Sequence, residues 1–168
     1  MPFDSEDLGP GALETDPVEV RTLTPDDLNW VVQIDKAHSG KPRHEYFRVK
    51  LKEAQTDTGI RVSLAAVVDR QPAGFLMGRL YYGEFGLPEP VAILDTIGVS
   101  KAFSGKHVGK ALMRQFMMNL RALGIEKIQT QVEWDQSELI KFFRNSGFTL
   151  APRLCLEAKL DSHLNARE

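Results

Sequence analysis

The chain has 168 residues, of which 42% are hydrophobic and 26% are charged, and its formal net charge is −2. That length suits one domain burying about 70% of its unfolded surface, and the charge gives no basic field for nucleic acid. The single cysteine, Cys155, excludes an internal disulfide and a cysteine-based metal cluster, and no metal site is expected. No apolar run approaches the roughly 18 residues of a membrane span, and residues 1–10 carry acids instead of a basic signal region. These features predict a cytoplasmic protein without membrane partners.

The first predicted elements follow a short tail. Residues 1–17 combine proline, glycine and acids without periodicity, which predicts a flexible N-terminal tail. Alternation over residues 18–23 predicts a first strand. At residues 24–27, a threonine cap, a proline at the first helical position and two aspartates predict a helix start. A second helix is predicted at about residues 42–56, after a Ser-Gly-Lys-Pro break.

Three strands are predicted in the middle of the chain. Residues 61–69 and 73–82 are largely apolar, and the intervening residues 70–72 predict a hairpin turn. The β-branched and aliphatic run at residues 91–99 predicts a buried strand. From about Lys106 the apolar spacing becomes helical, which predicts a long helix directly after that strand.

The C-terminal part is predicted to contain a strand, a helix and a hairpin. Residues 127–134 alternate as a strand, residues 136–146 have a helical apolar face, and residues 148–160 predict a closing hairpin. Residues 161–168 are expected to form a C-terminal tail. The element order is therefore β-α-α-β-β-β-α-β-α-β-β, which predicts a single mixed α/β (α+β) domain over residues 18–160.

The junction of the 91–99 strand with the following helix has the features of an anion site. The first amides of a helix lack internal partners and lie at the positive end of its dipole. Gly105 and Gly109 would let a phosphate approach those amides, while Lys106 and Lys110 would add positive charge. The spacing is equally compatible with an ordinary strand–helix turn that has packing glycines and solvated lysines.

A nucleoside-triphosphate P-loop is excluded at this junction. That motif needs four residues between its glycines, followed by Lys and then Ser or Thr. Only three residues separate Gly105 from Gly109, and Ala111 stands where the magnesium-binding hydroxyl is required. A nucleoside triphosphatase is therefore not expected.

The segment 103–112 resembles the acetyl-CoA-binding motif of the GNAT (general N-acetyltransferase) superfamily. That motif runs valine, four residues, then Arg/Gln-x-x-Gly-x-Gly/Ala. Val99 and Gly109 stand where the family has them, whereas Ser104 replaces the usual Arg or Gln and His107 replaces the first glycine. Both replacements keep the backbone amides that make most of this motif's bonds to pyrophosphate.

A second stretch, residues 134–148, resembles the family's terminal signature Asn-x-x-Ala-x-x-Phe-Tyr-x-x-x-Gly-Phe. Gly147 and Phe148 coincide with it, Leu139 takes the alanine position and Gln136 the asparagine position. Together with the element order, the resemblance implies the GNAT fold. That fold has a central, mostly antiparallel, twisted sheet of about seven strands with about four flanking helices, splayed between strands 4 and 5.

The resemblance implies an acetyl-CoA-dependent N-acetyltransferase that acts on a primary amine by direct attack in a ternary complex. Acetyl-CoA is the implied acetyl donor, and the backbone N–H of Val99 is the implied donor to the oxyanion. The implied cofactor contacts are Ile97, Gly98, Val99, Ser104, Gly105, Lys106, His107, Val108, Gly109, Lys110 and Gln136.

The positions where the family usually has its general acid and base hold residues that cannot transfer a proton. Phe143 stands where a tyrosine often protonates the thiolate, while Gln131 and Ile93 stand where family members have glutamates. Asp95 and Glu133 each follow such a position by two residues, so strand alternation keeps them on the same face as the residue they would replace. Both are candidate catalytic residues that act directly or through water. For Asp95, structural support by amides or an arginine is an equal alternative.

A second function remains open because the usual acid and base are absent from these positions. It is a catalytically weak acyl-CoA-binding module that regulates a partner. The acceptor amine, a small molecule or a protein amine, is not identified by the sequence, and either a monomer or a homodimer is expected. No nucleic-acid partner is expected. His38 and His44 match no motif and have no assigned role.

Overall fold

The computed structural model describes residues 17–56 and 62–160. The chain divides into two compact units, one ending at Glu133 and the other beginning at Trp134. The predicted tails, apart from residue 17, lie outside the described residues.

A five-stranded sheet forms the centre of the first unit. Its strands are β1 (Glu19–Thr22), β2 (Leu64–Val68), β3 (Gln71–Tyr81), β4 (Val91–Val99) and β5 (Ile128–Gln129). They lie in the order β1-β2-β3-β4-β5, antiparallel except for the parallel pair β4–β5. Only Ala92 and Ile93 of β4 pair with β5, so the rest of β4 diverges from it, as expected of a sheet splayed between strands 4 and 5.

The described residues also contain four α-helices, as predicted. They are α1 (Leu28–Ser39), α2 (His44–Thr56) and α3 (Val108–Ala122) in the first unit, and α4 (Ser137–Asn145) in the second. The predicted start of the first helix is confirmed, with Thr24 as the cap of a 3₁₀ turn (Pro25–Asp27) that leads into α1.

The expected count of about seven strands is wrong for the described residues, which contain five. Residues 148–160 form no ladder, and the Arg153 N–H instead closes a tight turn onto the Ala151 carbonyl at 2.8 Å, around Pro152. Their alternating leucines are exposed, Leu154 by 88% and Leu156 by 89%. A period-two pattern gives a strand its two faces but not the neighbour with which its backbone must pair.

The β2–β3 hairpin turns one residue earlier than predicted. Asp69 and Arg70 have φ values of 49° and 62°, the left-handed pair that suits a two-residue hairpin. Pro72 lies inside β3 opposite Val67, next to a register shift between Ala66 and Val67. Proline is tolerated there because irregular pairing does not require its missing N–H.

Helices α1 and α2 cover one face of the sheet. Phe75 and Met77 of β3 join Val31, Ile34 and Phe47 in a buried cluster. The rings of Phe47 and Phe75 meet edge to face, with centroids 5.7 Å apart.

Helix α3 packs directly on the backbone of β3 at the other face. A Cβ atom at Gly74 would lie 2.9 Å from Val108 Cγ1 and 3.2 Å from Leu112 Cδ1, and one at Gly78 would lie 2.7 Å from the Phe116 ring. This close packing brings the first turn of α3 beside the end of β4, because Gly74 pairs with Val99.

The buried carboxylate of Asp27 ties β1 to the start of α1. It accepts two hydrogen bonds of 2.8 Å from Arg21, one of 2.8 Å from the Thr24 N–H and one of 2.9 Å from Trp30 Nε1. Burial by itself raises the pKa of Asp27, but the bonds from Arg21, Thr24 and Trp30 outweigh it and hold the pKa below its usual range.

Asp27→Ala is expected to lower the free energy of unfolding by about 3 kcal/mol at pH 7, since it leaves several donors without their acceptor. A lowered folded-state pKa means that this stabilisation is present above the unfolded-state pKa and is lost as the pH falls below about 4. Urea unfolding at pH 7 and pH 3 should therefore show a smaller difference between variant and wild type in acid. Asp26→Ala, at an exposed neighbour, is the control, and an equal loss there would contradict the assignment.

Candidate functional site

The loop between β4 and α3 is held in shape by its own backbone. The Ser100 N–H donates to the Ala73 carbonyl at 2.8 Å, which ties the start of the loop to β3. A 3₁₀ turn (Lys101–Phe103) follows, and the Lys106 N–H donates to the Phe103 carbonyl at 3.2 Å. The predicted strand–loop–helix junction is thus present.

Two left-handed residues shape the last part of this loop. Gly105 has a φ of +78°, and His107, the residue before α3, has φ 59° and ψ 25°. This region costs a non-glycine residue on the order of 1–3 kcal/mol. The positive φ explains why the motif usually has glycine at the position of His107. Left-handed residues in such a turn point successive N–H groups into a concave nest that suits anions.

The amides around this nest have no partner in the part of the chain that the structure describes. They belong to Gly105, His107, Val108, Gly109 and Lys110. The first intrahelical bond of α3 runs from Ala111 to the His107 carbonyl at 3.0 Å.

The nest combines those donors with positive charge. It lies at the N-terminus of the 15-residue helix α3, where the helix dipole is positive. The side chains of Lys106 and Lys110 are exposed beside it. Unpaired amides, a helix dipole and two ammonium groups together fit a pyrophosphate such as that of CoA.

The end of β4 presents backbone groups away from β3. The bond from Ser100 to Ala73 makes Gly74–Val99 a non-hydrogen-bonded pair, so the N–H and C=O of Val99 point to the opposite edge of the strand. Ile97, two residues earlier, has the same orientation. The pairing of β4 with β5 does not extend to these residues. Val99 therefore has the orientation required of a backbone donor to a ligand.

His38 reaches this edge, and sequence reasoning missed it. It lies in the last turn of α1, and its Nε2 atom is 2.7 Å from the Val99 carbonyl oxygen. Ile34, one helical turn earlier, would be 3.2 Å from a Cβ atom at Gly98. The available signal was that His38 and Ile34 share a face of α1, but nothing in the sequence places that face over β4.

Asp95 is the extra residue of a β-bulge in β4. Gly78 pairs with Leu94 and Met77 pairs with Thr96, which leaves Asp95 between them. Bulges of this kind re-aim a side chain, and they are common beside active sites.

The carboxylate of Asp95 is paired with an arginine. Asp95 Oδ2 lies 3.3 Å from Arg79 Nε, and the Arg79 guanidinium carbon stands 4.6 Å from the centre of the Tyr81 ring. Arg79 pairs across the strands with Ile93, so Asp95 faces the same side of the sheet as Ile93, in line with the predicted alternation. Asp95 is four residues before Val99, about 13 Å along an extended strand.

Glu133 and Gln136 lie outside regular strands. Strand β5 ends at Gln129, not at residue 134 as predicted, and the exposed Glu133 has no ion pair or hydrogen bond among the described residues. Gln136 is the residue before α4 in the second unit, and its carbonyl accepts a 3.0 Å bond from the Ile140 N–H. Their roles in catalysis and cofactor binding stay predictions.

The second unit has its own small aromatic cluster. Phe143 is the buried residue of α4, and its ring centre lies 5.5 Å from that of Phe142 and 5.0 Å from that of Phe148. Gly147, with φ +92°, ends the helix and lets the Phe148 N–H return to the Phe143 carbonyl at 3.0 Å. The Gly-Phe pair quoted above thus closes α4.

Residues 17–56 and 62–160 contain neither a metal-binding cluster nor a membrane-spanning helix. No group of three or more His, Cys, Asp or Glu residues is arranged there to hold a metal ion. None of the helices described there has the length and apolar run needed to cross a membrane.

Comparison with known proteins gives one family and several relatives. The family model described as acetyltransferase (GNAT) family matches residues 26–148. A mycothiol acetyltransferase from Saccharomonospora viridis is 29% identical over 140 residues, which cover 78% of this chain and 45% of that protein. Another, from Propionibacterium freudenreichii subsp. shermanii, is 31% identical over 87 residues, covering 50% of this chain and 27% of that protein. This chain spans less than half the length of these curated relatives.

Solved structures show the same fold. The aminoglycoside N-acetyltransferase AAC(6')-Iy, in complex with CoA, superposes with a TM-score of 0.71 at 17% identity, covering 85% of this chain and 95% of that one. At that identity the likeness concerns the fold alone.

Proposed function

This chain belongs to the acetyltransferase (GNAT) family, and we propose that it transfers the acetyl group of acetyl-CoA to a primary amine by direct attack in a ternary complex. The observation that carries the proposal is the nest of unpaired amides between Gly105 and Lys110, at the N-terminus of α3. These amides, with Lys106 and Lys110, would hold the pyrophosphate.

The edge of β4 would bind the reactive end of the donor. The outward N–H and C=O groups of Ile97 can pair with the amide-containing pantetheine arm as an added strand would. The Val99 N–H is the proposed donor to the thioester oxygen, where negative charge develops during attack. A fixed backbone donor of this kind is worth about 3 kcal/mol in the transition state.

The acceptor amine must lose a proton before it can attack. Asp95, on β4, is the proposed recipient of that proton. The transfer would pass through water, because the Asp95 carboxylate is too far from Val99 for direct transfer. Glu133 is the alternative carboxylate. The amine could also lose its proton to solvent, with positioning supplying the remaining rate enhancement.

Binding is tested by thermal melts with acetyl-CoA, free CoA and ATP. A ligand at 100 times its dissociation constant stabilises by about 2.7 kcal/mol, a shift of a few degrees. We expect both CoA species to raise the melting temperature and ATP not to raise it. The double variant Lys106→Glu/Lys110→Glu should lose the shift. The control is the double variant Arg121→Glu/Lys127→Glu, which makes the same charge change at exposed residues at and beyond the opposite end of α3. This control should keep the thermal shift.

Transfer is tested by thiol release with a panel of aminoglycosides, polyamines, peptide amino termini and lysine side chains. Release that depends on Lys106 and Lys110 supports the transferase. CoA binding without thiol release in the presence of any amine would instead favour the acyl-CoA-binding module. The presence of Phe143 at the position of the family's usual acid also favours that module. The absence of a thermal shift with both acetyl-CoA and free CoA would contradict both functions.

A further inference from the structure

The contact between His38 and Val99 fixes which nitrogen of the imidazole is available. A carbonyl oxygen only accepts hydrogen bonds, so His38 Nε2, 2.7 Å from the Val99 oxygen, carries the proton. In the neutral ring the other nitrogen, Nδ1, then has a free lone pair. It has no partner among the described residues, and the side chain is exposed. The contact thus leaves a basic nitrogen open to a ligand.

The imidazole is at the edge of β4 where the reaction is proposed to occur. The N–H and C=O of Val99 point to the same side of the strand, away from β3. A ring bonded to that carbonyl is therefore adjacent to the N–H that is proposed to hold the thioester oxygen. In the described part of the chain, no other titratable side chain makes a hydrogen bond to Val99.

The end of α1 that carries His38 is firmly held. The buried Asp35 accepts a 2.9 Å bond from Arg43 Nε and a 3.4 Å bond from the Ser39 hydroxyl, which joins the last turn of α1 to the residues before α2. The Gly40 N–H caps the helix by donating to the Lys36 carbonyl at 2.9 Å. These bonds fix the backbone from which the imidazole extends, a condition for accurate proton transfer.

We propose that His38 is a catalytic residue that moves the second proton of the reaction. As the amine nitrogen forms its bond to the thioester carbon, His38 Nδ1 takes the proton released from that nitrogen. As the carbon–sulfur bond breaks, the same nitrogen gives this proton to the departing sulfur. The products are the acetylated amine and free CoA thiol, and the imidazole returns to its starting state. This inference rests on the proposed transferase function. It assigns to His38 the role of general acid, which Phe143 cannot fill because a phenyl ring has no proton to donate.

Two substitutions separate this role from a purely structural one. His38→Gln keeps an N–H donor for the Val99 carbonyl but has no basic nitrogen, and His38→Ala removes both. We expect both variants to lower kcat by about 100-fold or more, the usual contribution of general acid–base catalysis. The thermal shift with CoA should be unchanged. His44→Gln, at an exposed histidine in the first turn of α2, is the matched control and should keep wild-type kcat.

Nitrogen NMR of the imidazoles provides a readout that does not depend on turnover. We expect His38, but not His44, to show a proton fixed on Nε2 and to shift when acetyl-CoA is added. Wild-type kcat in His38→Gln, or a proton on Nδ1, would overturn the role of His38 and leave the proposed transferase intact. CoA binding by the wild-type protein without transfer to any amine would overturn the transferase and this inference together.

Discussion

Gly74→Ala is expected to lower the free energy of unfolding by about 1–3 kcal/mol, the usual cost of overpacking, and to weaken acetyl-CoA binding as well. The added Cβ would lie 2.9 Å from both the Gly98 carbonyl oxygen and Val108 Cγ1. The carbonyl belongs to the β3–β4 ladder and cannot move far, so the first turn of α3 must shift instead. That turn carries the amides proposed to bind pyrophosphate.

Gly78→Ala separates this effect from general destabilisation. Its Cβ would lie 2.7 Å from the Phe116 ring, about two helical turns beyond Val108 on the same helix. We expect a similar loss of stability but an unchanged CoA dissociation constant for the folded protein. Denaturant unfolding gives the first quantity, and calorimetric titration below the melting transition gives the second. Equal CoA affinity in the two variants would show that the nest does not depend on packing at Gly74.

The central part of the fold was predictable because its signals are local. Strand β4 has the predicted limits of residues 91–99, and α3 follows as the helical spacing of apolar residues requires. The group of unpaired amides at the start of α3 was predictable for the same reason, since its donors belong to neighbouring residues. The left-handed conformation of His107 was not, because histidine does not require a positive φ. The signal was indirect: the family motif usually has glycine there.

The missed features depend on contacts that are distant in sequence. His38 and the Val99 carbonyl are 61 residues apart, and only the packing of α1 on the sheet brings them together. Strand β5 is two residues long, although alternation continues further, because its pairing with β4 ends at Gln129. The bulge at Asp95 is likewise a property of two paired strands, so it cannot be recognised from the sequence of one strand alone.

Asp95→Asn is expected to lower kcat by about 100-fold while leaving CoA binding unchanged, if its carboxylate accepts the proton of the acceptor ammonium through water. Asparagine has nearly the same size, and its carbonyl oxygen can still accept a bond from Arg79 Nε. The substitution therefore removes the charge and the basic oxygen with little change in packing. Initial rates at saturating acetyl-CoA, with the most active amine of the panel, measure the effect. Glu133→Gln provides the comparison for the alternative carboxylate.

Arg79→Gln distinguishes catalysis by Asp95 from structural support. The ion pair joins a half-exposed guanidinium to a mostly buried carboxylate, so its loss should cost no more than about 1 kcal/mol of stability. If Asp95 is only a support for the bulge, Arg79→Gln and Asp95→Asn should reduce stability alike and leave kcat near the wild-type value. If Asp95 receives the proton, freeing it from Arg79 should preserve turnover, and only Asp95→Asn should lower kcat by about 100-fold. Wild-type kcat in Asp95→Asn would remove this carboxylate from the mechanism and leave proton transfer to His38 and solvent.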